Sequence, residues 1–132
     1  MRYSTEHKQE TRARVLKEAA SAIRAKGPDG VAVTDIMARA GLPHGGFYAH
    51  FSSKNELVGE AVSTMFDQVR DRMAAVGGDQ DAKTALRNVL AYYLSAEHRD
   101  DHAGGCPMPA LSGDLTRTKG PARQCFTQGV SD

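Results

Sequence analysis

The 132-residue sequence has no N-terminal apolar run of signal-peptide type and no uninterrupted apolar segment long enough to span a bilayer. A soluble, cytoplasmic chain with no membrane partner is therefore expected. Cysteine is scarce, with only Cys106 and Cys125, and in that compartment two cysteines do not make a disulfide framework. An excess of charge of one sign is also missing. Lys and Arg number 17 against 16 Asp and Glu, for a net charge of +1, a balance that does not by itself argue for a nucleic-acid partner. The placement of the charge is less even. Arg2, Lys8, Arg12, Arg14, Lys17, Arg24 and Lys26 fall in the first 30 residues against Glu6, Glu10, Glu18 and Asp29, so one end of the chain is basic. Apolar content is ample for a core, which excludes a disordered chain apart from its ends.

Residues 33–57, VTDIMARAGLPHGGFYAHFSSKNEL, organise the rest. Val33, Ile36, Met37 and Ala40 recur at helical spacing on one face. Gly41 supplies the left-handed conformation that ends a helix, Leu42 the apolar contact that accompanies such a stop, and Pro43 prevents the helix from resuming. In a second helix, roughly 44–50, Phe47 and Phe51 lie four apart and face inward, whereas His44, Gly45 and Tyr48 share an outward face. Ser53 followed by Glu56 is a capping box that starts a third helix. Two short helices joined by a glycine-marked turn are the unit that lays a helix in the DNA major groove. Tyr48, His44 and His50 can donate hydrogen bonds there, and Gly45 and Gly46 let the backbone approach closely.

Upstream, residues 1–5 are expected to form a loose arm, followed by a helix over Glu6–Lys26 with Val15, Ala19 and Ile23 buried. The Gly-Pro-Asp-Gly run at 27–30 is a turn by composition. Downstream, Val58, Val62, Met65, Val69, Met73 and Val76 mark a helix from Lys54 to Val76 buried along one stripe. A further helix spans Asp81–His98, with Leu86, Val89, Leu90, Tyr93 and Leu94 on one side. The run His98–His102 is polar and reads as a solvated loop. Its two histidines lack the glutamate of a zincin, so no metal and no cofactor are expected. Pro107 looks like the first residue of another helix, with Cys106 as its cap. A thiol placed so has its thiolate favoured by the helix terminus; the alternative is a small apolar residue in the core. Cys125, in a helical pattern with Phe126 and Val130, is read as core.

The run Gly45-Gly46-Phe47-Tyr48-Ala49-His50-Phe51, followed by Ser53, Lys54 and Leu57, resembles the recognition helix and the start of the fourth helix of the TetR family of bacterial transcription regulators. The likeness extends upstream through Val15, Leu16, Ala19, Ala20 and Gly27. Two positions depart from the family pattern. Ala32 stands where the family usually has Ser or Thr, a lost cap worth about 1 kcal/mol, and Val31 replaces an aromatic residue common there. The resemblance implies an all-α fold: a three-helix DNA-binding domain over residues 1–53, then the first part of a helical ligand-binding and dimerisation domain over 54–132. Family members continue past the point corresponding to Asp132 with helices that close the ligand pocket and form the homodimer. A C-terminally truncated chain is therefore expected, with its dimerisation in doubt and Leu86, Tyr93 and Leu94 uncovered.

The function implied is a sequence-specific transcriptional repressor, not an enzyme. It would bind double-stranded DNA at a near-palindromic operator and be released by a small-molecule or electrophile effector. His44, Gly45, Gly46 and Tyr48 are expected to face the groove, Thr34, His50 and Lys54 to reach phosphates, and Cys106 is the candidate effector or redox residue. Two rivals are a cysteine enzyme using Cys106, with His98 or His102 as base, and a protein-interaction fragment.

Overall fold

A computed structural model describes residues 2–132, with side chains from Ser4 onward. Among the described residues every regular element is helical: α1 (Arg2–Lys26), α2 (Val33–Arg39), a 3₁₀ helix (His44–Ala49), α3 (Lys54–Gly77), α4 (Ala82–Tyr93), α5 (Ala96–Asp100), α6 (Pro107–Leu115) and α7 (Pro121–Ser131). No helix among them is long and apolar enough to cross a membrane.

α1 is a helix from Arg2, so residues 2–5 are not the loose arm expected from the sequence; Met1 lies outside the described residues. No glycine or proline interrupts this stretch, and an existing helix extends at the cost of ordering one residue per bond gained. Residues 4–10 project as an exposed segment, while Val15, Ala19 and Ile23 are fully buried. Arg39 Nε donates to Glu18 Oε2 at 3.3 Å and ties α2 to α1.

α2 ends as its sequence foretold. Gly41 has φ 73°, its N–H donates to Ala38 C=O at 3.0 Å, and the Leu42 N–H donates to Met37 C=O at 2.9 Å. These are the paired bonds of a Schellman stop, with Leu42 packed on the core. Ala32 occupies the N-cap with no side-chain hydrogen bond. Val31, in place of an aromatic residue, is nonetheless buried in the core.

α3 is the axis of the molecule and packs against α1, α4, α6 and α7. Leu57, Val58, Ala61, Val62, Met65 and Phe66 are buried; Val69, Met73 and Val76 are only half-buried, so the stripe fades along the second half. α7 lies close against α3. A Cβ on Gly59 would meet Pro121 at 3.0 Å, and one on Gly129 would run into the Phe66 ring. Phe66 and Phe126 pack edge-on at 5.8 Å. The buried side chains form one cluster from Val15 to Ala122, with Leu111 and Leu115 of α6 included.

Three expectations for this half need correction. The helix expected over Asp81–His98 breaks at Leu94–Ser95. Ser95 Oγ accepts the His98 N–H at 3.1 Å and donates to Tyr92 C=O at 2.6 Å, so it caps a new helix instead of continuing the old one. The His98–His102 run is for that reason partly helical, not a loop, over Ala96–Asp100. Cys106 takes the N-cap position of α6 but makes no cap hydrogen bond, because a thiol is a weak acceptor. Val130 is 51% exposed, whereas Cys125 and Phe126 pack against the core. On α4, Leu86, Leu90, Tyr93 and Leu94 are exposed.

Candidate nucleic-acid interface

The second short helix is a six-residue 3₁₀ turn rather than an α-helix. It is opened by Pro43 at φ −70°, ψ 148°, and closed where the N–H groups of His50 and Phe51 both point to Phe47 C=O, each at 3.0 Å. Two consecutive glycines give little side-chain support for α-helical winding, and the six-residue 3₁₀ piece is longer than most such turns. The tighter winding still separates the two faces. Phe47 is 1% and Phe51 2% exposed, stacked at 5.6 Å, while Tyr48 is 72% exposed and meets Phe47 edge-on at 5.1 Å. His44 and Gly45 are exposed beside it, and Gly46 is half-buried against Met37. Gly45 has no positive φ, and a Cβ there would meet nothing within 4 Å. Nothing within the chain requires glycine at that position.

Around this turn lie the other residues singled out from the sequence. Thr34 is exposed in the first turn of α2 and Lys54 in the first turn of α3. Ser53 Oγ caps α3 by accepting the Glu56 N–H at 3.1 Å. The reciprocal bond of the capping box is shifted by one residue: the Glu56 carboxylate accepts from the Ser52 N–H at 2.8 Å and from the Ser52 hydroxyl. These two bonds lower the Glu56 pKa, so the carboxylate stays ionised at the end of the turn.

His50 is half-buried, with Nδ1 sealed from solvent and without a partner. Burial lowers its pKa, and the cations of Lys8 and Arg12 lower it further. Lys8 and Arg12 belong to this site although the motif alone does not reveal them. Arg12 stacks over the Phe51 ring at 4.7 Å and forms an ion pair with Glu60, which holds α1 on α3 beside the turn. The signal available in the sequence was the basic excess of α1, and only the packing brings two of its cations to His50.

Cys106 lies apart from this surface, 4% exposed, in the wall of a cleft that also includes His98 and His102. Burial and the neighbouring Cys106 thiol raise the pKa of the Tyr93 hydroxyl. Among the described residues no group of three or more His, Cys, Asp or Glu could hold a metal ion.

Two helical pieces at a Schellman turn, with an outward aromatic on the second and a long helix capped just beyond, define a helix-turn-helix protein. Residues 15–61 match the family described as bacterial regulatory proteins, tetR family. The chain is 31% identical over 93 residues to the HTH-type transcriptional regulator YvdT of Bacillus subtilis, covering 66% of this chain and 46% of that one. It is 32% identical over 81 residues to the HTH-type transcriptional regulator TtgR of Pseudomonas putida, covering 61% and 38%. The crystal structure of a TetR transcriptional regulator from Chloroflexus aurantiacus superposes with a TM-score of 0.79 at 31% identity, over 96% of this chain and 64% of that one. Over residues 15–61 the chain carries the helix-turn-helix domain of the TetR family, and the relatives named here are transcriptional regulators. It spans less than half the length of the two relatives matched by sequence.

Proposed function

We propose that the protein is a repressor that binds a near-palindromic operator in double-stranded DNA through residues 1–53, with 54–132 as the regulatory part. The observation that carries this is the exposure of Tyr48, 72%, beside exposed His44 and Gly45 on a turn anchored by two buried phenylalanines. An aromatic whose contact within the chain is one ring edge, next to an open glycine, suits a surface that meets base edges closely. His44, Gly45, Gly46 and Tyr48 then read the groove, while Thr34, His50 and Lys54, with Lys8 and Arg12, hold phosphates.

Release by a small-molecule or electrophile effector, and operation as a cytoplasmic homodimer, complete the reading. Cys106 is the thiol that an electrophile would meet in its cleft. Selection of bound sequences from random double-stranded DNA tests the proposal. Enrichment of a two-fold-related motif, lost on Tyr48→Ala in a chain that still folds, is the expected result; no enrichment over input overturns it.

A further inference from the structure

Arg24, in the last turn of α1, is 9% exposed, and such a residue is rarely this buried without an ionic partner. Its Nε donates to Ala103 C=O at 2.6 Å, yet its Nη1 has no acceptor. No carboxylate forms an ion pair with it among the described residues. The stronger of the two charges that act on it is of the same sign. Arg72, on α3, donates to Gly104 C=O at 2.8 Å and to the Tyr92 hydroxyl at 3.0 Å, with Asp101 3.7 Å away. Burial lowers the Arg24 pKa, and the Arg72 charge adds to this, against a smaller opposing effect of Asp101.

Both guanidinium groups line a cleft of about 410 Å³ between α1, α3 and the turn at Ala103–Gly104. Lys17 and Ser21 complete its α1 wall; Gln68 and Asp71 complete its α3 wall. Three cations and the Asp71 carboxylate thus line the cleft, and of the cations Arg72 is already paired with Asp101. Gln68 contributes a second unpaired atom, since its Oε1 is buried with no donor. A buried cation without an ionic partner is costly, and a cleft of this volume is within the range that takes small organic ligands.

We propose that this cleft binds a small organic carboxylate, which supplies the acceptor that Arg24 lacks and bridges α1 to α3. An Arg fork matches a carboxylate in shape as well as charge. The ligand would sit where the helix carrying Lys8 and Arg12 meets the helices of the C-terminal half. This names the chemical class of the effector in the regulation proposed above. The effect on DNA rests on that reading; the binding itself does not.

The test uses the full 132-residue chain titrated with benzoate and with succinate, against benzamide and succinamide, at constant ionic strength, and followed by ¹⁵N-detected NMR. Saturable shifts are expected for the carboxylates only, centred on the Arg24 Nε–H and the amides of Ala103 and Gly104. Arg24→Met keeps the side-chain stem and should weaken binding by about tenfold or more, the scale of a charged hydrogen bond, while Arg70→Ala leaves it unchanged. Arg24→Lys, which keeps the charge but not the fork, should also weaken it and stands in if the Met variant does not fold. No saturable response to either carboxylate, an equal response to the amides, shifts centred elsewhere, or unchanged affinity in a folded Arg24 variant each overturn the proposal.

DNA titrations run in parallel keep the two readings apart. DNA binding without carboxylate binding overturns this inference alone, and carboxylate binding without DNA binding overturns the repressor reading alone. With both present, benzoate should change DNA affinity by about fivefold or more in the native chain and not in Arg24→Met.

Discussion

Replacing Phe47 or Tyr48, adjacent residues of similar size, separates the inner from the outer face of the recognition turn. Phe47 is 1% exposed, stacked on Phe51 at 5.6 Å and joined to the core shared by α1, α2 and α3. Phe47→Ala removes a ring from a site that collapses only partly, at a cost of about 3–5 kcal/mol. Tyr48 is 72% exposed, so only about a quarter of a side chain that buries roughly 150–250 Å² when enclosed is removed from water. At about 25 cal/mol per Å², that fraction is worth about 1–1.6 kcal/mol as an upper value, and the edge contact with Phe47 adds about 0.5–1.5 kcal/mol, still below the cost at Phe47. Natural domains are stable by only about 5–15 kcal/mol. Phe47→Ala should therefore shift the urea midpoint strongly, followed by circular dichroism, while Tyr48→Ala shifts it less. In electrophoretic mobility shifts the ranking is set by contact instead: Tyr48→Ala should lose specific DNA binding while remaining folded. A Tyr48→Ala chain that unfolds as early as Phe47→Ala, or that binds its operator with native affinity, would refute the assignment of faces.

DNA affinity should fall with salt, and Lys54→Ala should weaken binding to all sequences alike and flatten the slope of log K against log salt by about one; a slope unchanged by the substitution counts against the phosphate contact. His50 starts with its pKa below the ordinary 6.5, and a phosphate beside it would raise that value, so binding takes up a proton. That contribution is fully present below the free-protein pKa and is lost as pH rises through the bound-state pKa, and His50→Gln should flatten the pH dependence measured by fluorescence anisotropy of labelled DNA. In α7, Gly129→Ala drives a methyl group into the Phe66 ring and should destabilise by about 1–3 kcal/mol. In α6, Gly113→Ala meets nothing within 4 Å and should stabilise by about 0.5–1 kcal/mol; denaturant titration of the pair checks both signs. Ala32 already has the extended backbone of an N-cap, at φ −104° and ψ 145°, so Ala32→Ser should raise stability by about 1 kcal/mol in the same assay.

What the sequence alone determined is what short-range chemistry determines. The stop at Gly41 and Leu42, the Ser53 cap and the proline start of α6 each depend on residues within a turn of one another, and all three are present. The burial of Phe47 and Phe51 against the exposure of Tyr48 followed from spacing, because adjacent residues of any helical turn point apart. Tertiary packing decided the rest. Whether Ser95 continues a helix or caps a new one depends on whether its hydroxyl bonds to neighbouring backbone groups, here Tyr92 C=O and His98 N–H together, and composition does not decide that. The Glu56 carboxylate turned to Ser52 rather than Ser53, where it gains the hydroxyl as well as the N–H. Lys8 and Arg12 are ordinary members of a basic helix until α1 packs on α3 and brings them to His50. Arg24 is the clearest case. It lies one residue after Ile23 on the same helix and reads as a solvated charge, but the Ala103–Gly104 turn, some eighty residues later, closes over it, and a contact of that range depends on the whole fold.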